Sequence, residues 1–291
     1  MEIHRVVPSG YCKGVINAIN IAKKAREDYK DKNIYVLGMI VHNSYVTSEL
    51  EKLGIVTLDD SKKSKEELID ELNDCVVIFT AHGISDKIKQ KAIDKGLITV
   101  DASCVDVLKT QDIVKDYLNK GYDIIYFGKA KHPEAEAVIS ISDKIHMVTK
   151  LDDIEKLNID NDKIFITNQT TMSYIELQDM FDLVKKKYPS VTILKEICNA
   201  TSSRQKAVFD IKDGDVLYVV GDKKSNNTNK LVEIAKRNIK HVYLINSKDE
   251  IKKDDLIGQS KIYVTAGAST PPVLINEVID YLNTLASKSL Q

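Results

Sequence analysis

Cys12, Cys104 and Cys198 stand 92 and 94 residues apart. A helix-like stretch follows each at once: KGVINAINIAKKA, VDVLKTQDIVKDY and NATSSRQKAVFDI. A thiolate at a helix N-terminus is stabilised by the positive end of the dipole, which favours metal ligation or nucleophilic attack. One such cysteine alone reads as a packing residue, whereas three at equal intervals point to a shared centre. Spacings this long carry no local metal signature of the Cys-x-x-Cys kind. Three thiolates suit a [4Fe–4S] cluster with one iron left unligated by protein, open to act on substrate as a Lewis acid. Zinc held by the three cysteines and a histidine is the competing metal arrangement. Cys75 opens the apolar run CVVIFTA and fits a buried strand residue instead.

The cysteines belong to a longer repeat. A glycine follows each after 26, 24 or 23 residues, at Gly38, Gly128 and Gly221, and a polar residue stands four further on: His42, His132 or Ser225. Later in each third comes a threonine with small and polar residues after it, in FTAHGIS at Thr80, ITNQTTMS at Thr167 and VTAGAST at Thr265. One unit is written three times. His42, His82, His132, Thr170, Ser225, Asn227 and Ser269 all fall in the repeated loops. Singly each is an ordinary turn or capping residue; together they form a donor set for a phosphate or diphosphate at helix N-termini. Glu134, in HPEAEA, is the carboxylate nearest a loop histidine and is placed to deliver a proton to a leaving hydroxyl. Glu134 and Glu136 also suit the first turn of a helix after His-Pro. His4, His146 and His241 lie outside the repeated loops and read as structural or surface residues.

The elements that must hold these loops alternate. Strand candidates are NIYVLGM, CVVIFTA, LITVDA, DIIYFG, KIFITN, VTILKE, DVLYVV, HVYLIN and KIYVTA, separated by stretches with helical apolar spacing such as IELQDMFDLVKKKY. Strands apolar on both sides and joined by helices predict parallel sheets covered on both faces. In such sheets ligands gather beyond the carboxyl ends of the strands, where the repeated motifs lie. The 291 residues carry 42 basic and 43 acidic side chains, so nucleic acid is not an expected partner. No apolar run is long enough to cross a bilayer, and MEIHRVVPSG has no signal-peptide core, so a cytoplasmic location is expected.

Taken in order, GYCKGVINAI, VHNSYV, TAHGIS, DASCVDV, KHPEAEA, NQTTMS, CNATSSRQ, SNNTNKL and AGASTPP resemble the LytB/IspH family of 4-hydroxy-3-methylbut-2-enyl diphosphate reductases over nearly the whole chain. The resemblance implies three similar α/β domains with mainly parallel sheets around a pseudo-threefold axis, with an iron–sulfur cluster at the centre. Their expected bounds are 13–103, 104–197, and 198–285 together with 1–12. It implies that Cys12, Cys104 and Cys198 hold a [4Fe–4S] cluster with one open iron. His42, His82, Ser225, Asn226, Asn227 and Ser269 would grip a diphosphate; Thr170, His132 and Glu134 would attend the hydroxyl end, with Glu134 the acid. The implied reaction is a two-electron reductive dehydration of the allylic diphosphate to isopentenyl and dimethylallyl diphosphates. The electrons would come from an external donor such as ferredoxin or flavodoxin, since no flavin or nicotinamide fingerprint is present. Lys13 stands where a small residue is common, Asn226 where serine is, and Ala137 where glycine often is; none removes a proposed ligand or acid. An Fe–S dehydratase of the quinolinate synthase type would explain the thiols but not HPE, TAHG and SNNTN in this order. A cluster-bearing redox sensor would have little use for the phosphate-type donors. A zinc hydrolase is disfavoured because no carboxylate is paired with a metal-bound water.

Overall fold

The computed structural model describes residues 1–288. The chain begins with β1 (Glu2–Arg5), α1 (Lys13–Asp28), β2 (Asn33–Leu37), α2 (Ser44–Glu51) and β3 (Ile55–Leu58). It continues through α3 (Lys65–Asp70), β4 (Cys75–Phe79), α4 (Asp86–Asp94) and β5 (Ile98–Asp101). Next come α5 (Val105–Asn119), β6 (Asp123–Phe127), α6 (Pro133–Ile139), β7 (Ile145–Val148) and α7 (Leu151–Lys156). Then follow β8 (Ile164–Asn168), α8 (Tyr174–Lys187), β9 (Thr192–Ile193) and α9 (Asn199–Phe209). The last elements are β10 (Val216–Val220), α10 (Asn226–Ala235), β11 (His241–Ile245), β12 (Lys261–Ala266) and α11 (Pro272–Lys288).

These strands form three four-stranded, wholly parallel sheets, in the orders β3-β2-β4-β5, β7-β6-β8-β9 and β11-β10-β12-β1. The order is the same in all three once β1 is counted as the fourth strand of the last. The expected parallel α/β architecture is therefore present three times. The chain also divides into two compact units. One holds Met1–Lys13, His42–Ser44 and the chain from Asn199 onward, with the β10 sheet. The other holds Gly14–Val41 and Tyr45–Cys198, with the two remaining sheets.

Each sheet is buried on both faces, as its double-sided apolar sequence requires. In β10, Val216, Tyr218 and Val220 pack with Ile275, Val278 and Leu282 of α11, while Leu217 and Val219 pack with Val208, Leu231 and Ile234 of α9 and α10. In β6, Ile125 and Phe127 meet Leu177, Phe181 and Val184 of α8, and Ile124 and Tyr126 meet Val114, Ala135 and Val138 of α5 and α6. Each such side chain contributes about 1.5–3 kcal/mol on burial, which fixes the strand ends that carry the loops. Cys75 is 2% exposed among Leu68, Ile69 and Val77, and burial pushes its thiol up, as suits an inert core residue.

The structure adds three strands to those read from sequence: β1, β3 and β7. Each lies at a sheet edge and is only four residues long. Too short to show a run, and in EIHR polar at every position but Ile3, they are assigned by their parallel partners rather than by their own pattern. VTILKE shrinks to the two residues of β9. No helix among the described residues is long and apolar enough to cross a membrane.

Candidate active site

Each cysteine of the repeat lies past an edge strand and directly before a helix: Cys12 after β1, Cys104 after β5, Cys198 after β9. Their backbone amides are held alike. Cys12 N–H donates to Ala268 O (3.1 Å), Cys104 N–H to Ala81 O (3.0 Å) and Cys198 N–H to Thr170 O (3.2 Å). Ala268, Ala81 and Thr170 each stand two residues beyond the strand neighbouring that edge, so the same backbone contact recurs in every sheet. No disulfide ties any of the three, and each is partly exposed. Cys104 occupies the N-cap position of α5, yet its Sγ makes no capping hydrogen bond.

The repeat glycines are anchored equally regularly, Gly38, Gly128 and Gly221 donating to Leu58, Val148 and Ile245 at the ends of neighbouring strands (2.8, 3.1 and 2.8 Å). Strand register corrects one sequence alignment. Val36 pairs with Ile78, but Phe127 pairs with Asn168 and Val220 with Ala266. Continued past the strands, these pairings put Thr80, Gln169 and Gly267 opposite the glycines. Thr167 and Thr265 lie two residues earlier, inside their strands. The threonines do not correspond; a shared apolar-Thr pattern concealed a two-residue offset.

In the unit with two sheets, α6 and the loop after β8 build an acid. Glu134 is 1% exposed. Its Oε1 accepts from Thr170 N–H (2.7 Å) and its Oε2 from Thr170 Oγ1 (3.1 Å). Burial, with Asp106 adding to it, raises its pKa to about 7 against the opposing pull of the two Thr170 bonds. The carboxyl thus holds its proton near neutrality and can give it up there. His132 caps α6, Nδ1 accepting from Glu134 N–H (3.2 Å), so in the neutral ring the proton sits on Nε2. The ring of His82 meets that of His132 edge-on, centroids 5.5 Å apart. Gln169, missed from sequence, is fully buried and links the two loops: Oε1 accepts from Lys129 N–H (2.9 Å), Nε2 donates to Thr171 Oγ1 (2.8 Å).

In the other unit Ser225 caps α10, its Oγ accepting from Thr228 N–H (3.3 Å). Asn226 and Asn227 follow, each 4% exposed. Neither Oδ1 nor Nδ2 of Asn227 has a hydrogen-bond partner. A buried amide left unsatisfied costs about 1–3 kcal/mol per group, so Nδ2 is a donor that a ligand's oxygen would satisfy. Ser269 Oγ donates to His42 O (2.9 Å), joining two predicted residues. Asp222, also missed, accepts from Ser44 N–H (3.1 Å) and Lys224 N–H (2.8 Å) and so fixes the segment next to His42. Burial opposes its charge, yet these amides hold Asp222 below the ordinary carboxylate range. Asp222 directly follows a repeat glycine, a signal present in sequence, whereas Gln169 faces one only through strand pairing. A β-carbon on Gly267 would lie 2.0 Å from Thr228 Oγ1, and one on Gly221 2.9 Å from it, so α10 starts against bare backbone.

Of the histidines outside the repeated loops, His4 pairs with Glu2 and His146 with Asp123. Lys13 is exposed, and Glu136 lies on the exposed side of α6. A separate cavity of about 640 Å³, bordered by Lys65, Lys131 and Glu136, includes none of the predicted site residues.

Three like-wound parallel sheets, each ending in a cysteine before a helix, and a buried acid near neutrality define an α/β enzyme of repeated construction. The family described as LytB protein matches residues 3–283, and the chain belongs to that family. The 4-hydroxy-3-methylbut-2-enyl diphosphate reductase of Geobacillus kaustophilus (strain HTA426) is 45% identical over 286 residues, covering 97% of this chain and 90% of that one. Its namesake from Lysinibacillus sphaericus (strain C3-41) is 45% identical over 290 residues, covering 97% and 88%. Among solved structures, the E-1-hydroxy-2-methyl-but-2-enyl-4-diphosphate reductase of Plasmodium falciparum superposes with a TM-score of 0.89 at 33% identity, covering 98% of this chain and 87% of that one. A structure of (E)-4-hydroxy-3-methyl-but-2-enyl diphosphate reductase, described as the terminal enzyme of the non-mevalonate pathway, gives 0.67 at 26% identity, covering 98% and 100%.

Proposed function

We propose that this protein is a 4-hydroxy-3-methylbut-2-enyl diphosphate reductase, acting in the last step of the non-mevalonate route to isoprenoids. The allylic alcohol takes two electrons and two protons. Its C–O bond breaks, the hydroxyl leaves as water with one proton, and the other proton joins the allyl carbon skeleton at either end, giving isopentenyl or dimethylallyl diphosphate. The observation that carries the reading is Glu134, a buried carboxyl poised at about 7 by desolvation and held by Thr170, in a chain of the LytB family.

Glu134 gives the leaving hydroxyl its proton, and Thr170 Oγ1, already bonded to that carboxyl, orients the hydroxyl. His132 lies beside them. Asn227 donates to the diphosphate, with Ser225, Asn226, Ser269, His42 and His82 as further polar contacts, and the N-terminus of α10 favours its charge. Cys12, Cys104 and Cys198 hold a [4Fe–4S] cluster by three thiolates, leaving one iron without a protein ligand. Their common position past an edge strand, common amide hydrogen bond and lack of disulfides fit that donor set. When bound, the cluster supplies electrons one at a time and a Lewis-acidic iron. A one-electron carrier such as ferredoxin or flavodoxin delivers them, in the cytoplasm.

Anaerobically purified protein should be brown and hold iron and sulfide. Reduced viologen should then be oxidised only when the allylic diphosphate is added. Colourless protein with stoichiometric zinc, or iron-loaded protein that ignores the substrate, would overturn the reading.

A further inference from the structure

Helix α9 carries a buried cation that none of these roles uses. Arg204 is 5% exposed. Its Nη1 donates to Ala200 O one turn back (2.7 Å), and its Nη2 donates to Gly10 O (2.6 Å) and reaches Tyr11 O (3.4 Å). Gly10 and Tyr11 immediately precede Cys12. A side chain six residues after Cys198 therefore fixes the loop that delivers Cys12. The residues at the same distance after Cys12 and Cys104 are Ala18 and Thr110, both fully buried and uncharged. The repeat places a neutral residue here twice and a cation once.

Burying a guanidinium costs several kcal/mol before its partners repay it. An iron–sulfur core bound by three thiolates is anionic, and each added electron makes it more so. We propose that Arg204 is a positioning residue for Cys12 whose charge offsets that of the cluster and raises its reduction potential. The inference rests on the cluster reading above. It requires the charge, as well as the hydrogen bonds, to matter.

Wild type, Arg204→Gln and Arg204→Lys are purified anaerobically, assayed for iron and sulfide per chain, and titrated in solution with the reduced cluster followed by electron paramagnetic resonance. At the poise that half-reduces wild type, Arg204→Gln should show a reduced-to-oxidised ratio about tenfold lower, equivalent to about 59 mV for one electron. Arg204→Lys should recover the ratio to within about threefold, since the charge is kept. A wild-type ratio in Arg204→Gln overturns the inference. If Arg204→Gln takes up no iron, Arg204→Lys decides: loading with the near-wild-type ratio upholds it, and anything else overturns it. Wild-type protein without iron would instead remove the cluster reading.

Discussion

Replacing Thr170 with valine separates the two hydrogen bonds that Glu134 accepts. The change removes the hydroxyl donor 3.1 Å from Oε2 and leaves the amide 2.7 Å from Oε1. Both bonds favour the carboxylate against the burial that holds it at about 7. A hydrogen bond to a charged group is worth about 1.5–3 kcal/mol, and a hydroxyl bond of this length falls at the low end. Since about 1.4 kcal/mol is one pH unit, Glu134 should rise by about one unit. As the proposed acid Glu134 works protonated, so kcat/KM should be level on the acid side and fall about tenfold per pH unit above the break near 7. Thr170→Val should lower the plateau, because substrate loses a hydroxyl contact, and should move the break to about 8. The assay is the initial rate of viologen oxidation between about pH 6 and 9.5, at low substrate, with iron content checked at each pH. A break that stays in place or moves toward acid refutes the coupling between this hydroxyl and the acid.

Glu134→Gln should cut turnover by about 10²–10⁴-fold while flattening the pH dependence of stability. Below 4.5 the carboxyl is protonated folded and unfolded; between there and about 7 only the folded chain keeps the proton, so wild-type stability falls as pH rises, by about 3 kcal/mol in all. Thermal unfolding at mildly acidic and alkaline pH should therefore differ less in the variant, and an equal difference would show that Glu134 is not the titrating group. Serine at Cys12, Cys104 or Cys198 should lose iron on gel filtration, whereas Cys75→Ser should retain it; iron loss confined to Cys75→Ser would invert the ligand assignment. Gly267→Ala should destabilise the protein by about 1–3 kcal/mol, because its β-carbon would meet Thr228 Oγ1. Adding Thr228→Ala should recover part of that loss in urea unfolding, and strict additivity would argue against the contact.

The central strands and the loops they carry were legible in sequence because β4, β6, β8 and β10 each hold a run of buried apolar residues. Strands β1, β3 and β7 were not, since an edge strand of four residues takes its identity from its neighbour. Glu134 could be picked out by its place after His-Pro, but its partner could not. That Thr170 gives it both an amide and a hydroxyl follows from the meeting of two loops 36 residues apart in sequence. Asp222, Gln169 and Arg204 escaped because they act on backbone groups of other segments, and no spacing rule encodes such contacts. The threonine offset has the same origin: register is set by pairing, which a linear repeat does not record.

Strand β1 completes the sheet of β12, which is made about 250 residues later. At about 5–20 residues per second that is roughly 12–50 s of synthesis. Through that interval Glu2–Arg5 has no edge to join, and its mixed polar sequence makes it a poor template for another chain. Cys12 gains its hydrogen bond to Ala268 only after the last strand has emerged. The first of the three thiols to be translated is thus the last to be set in place.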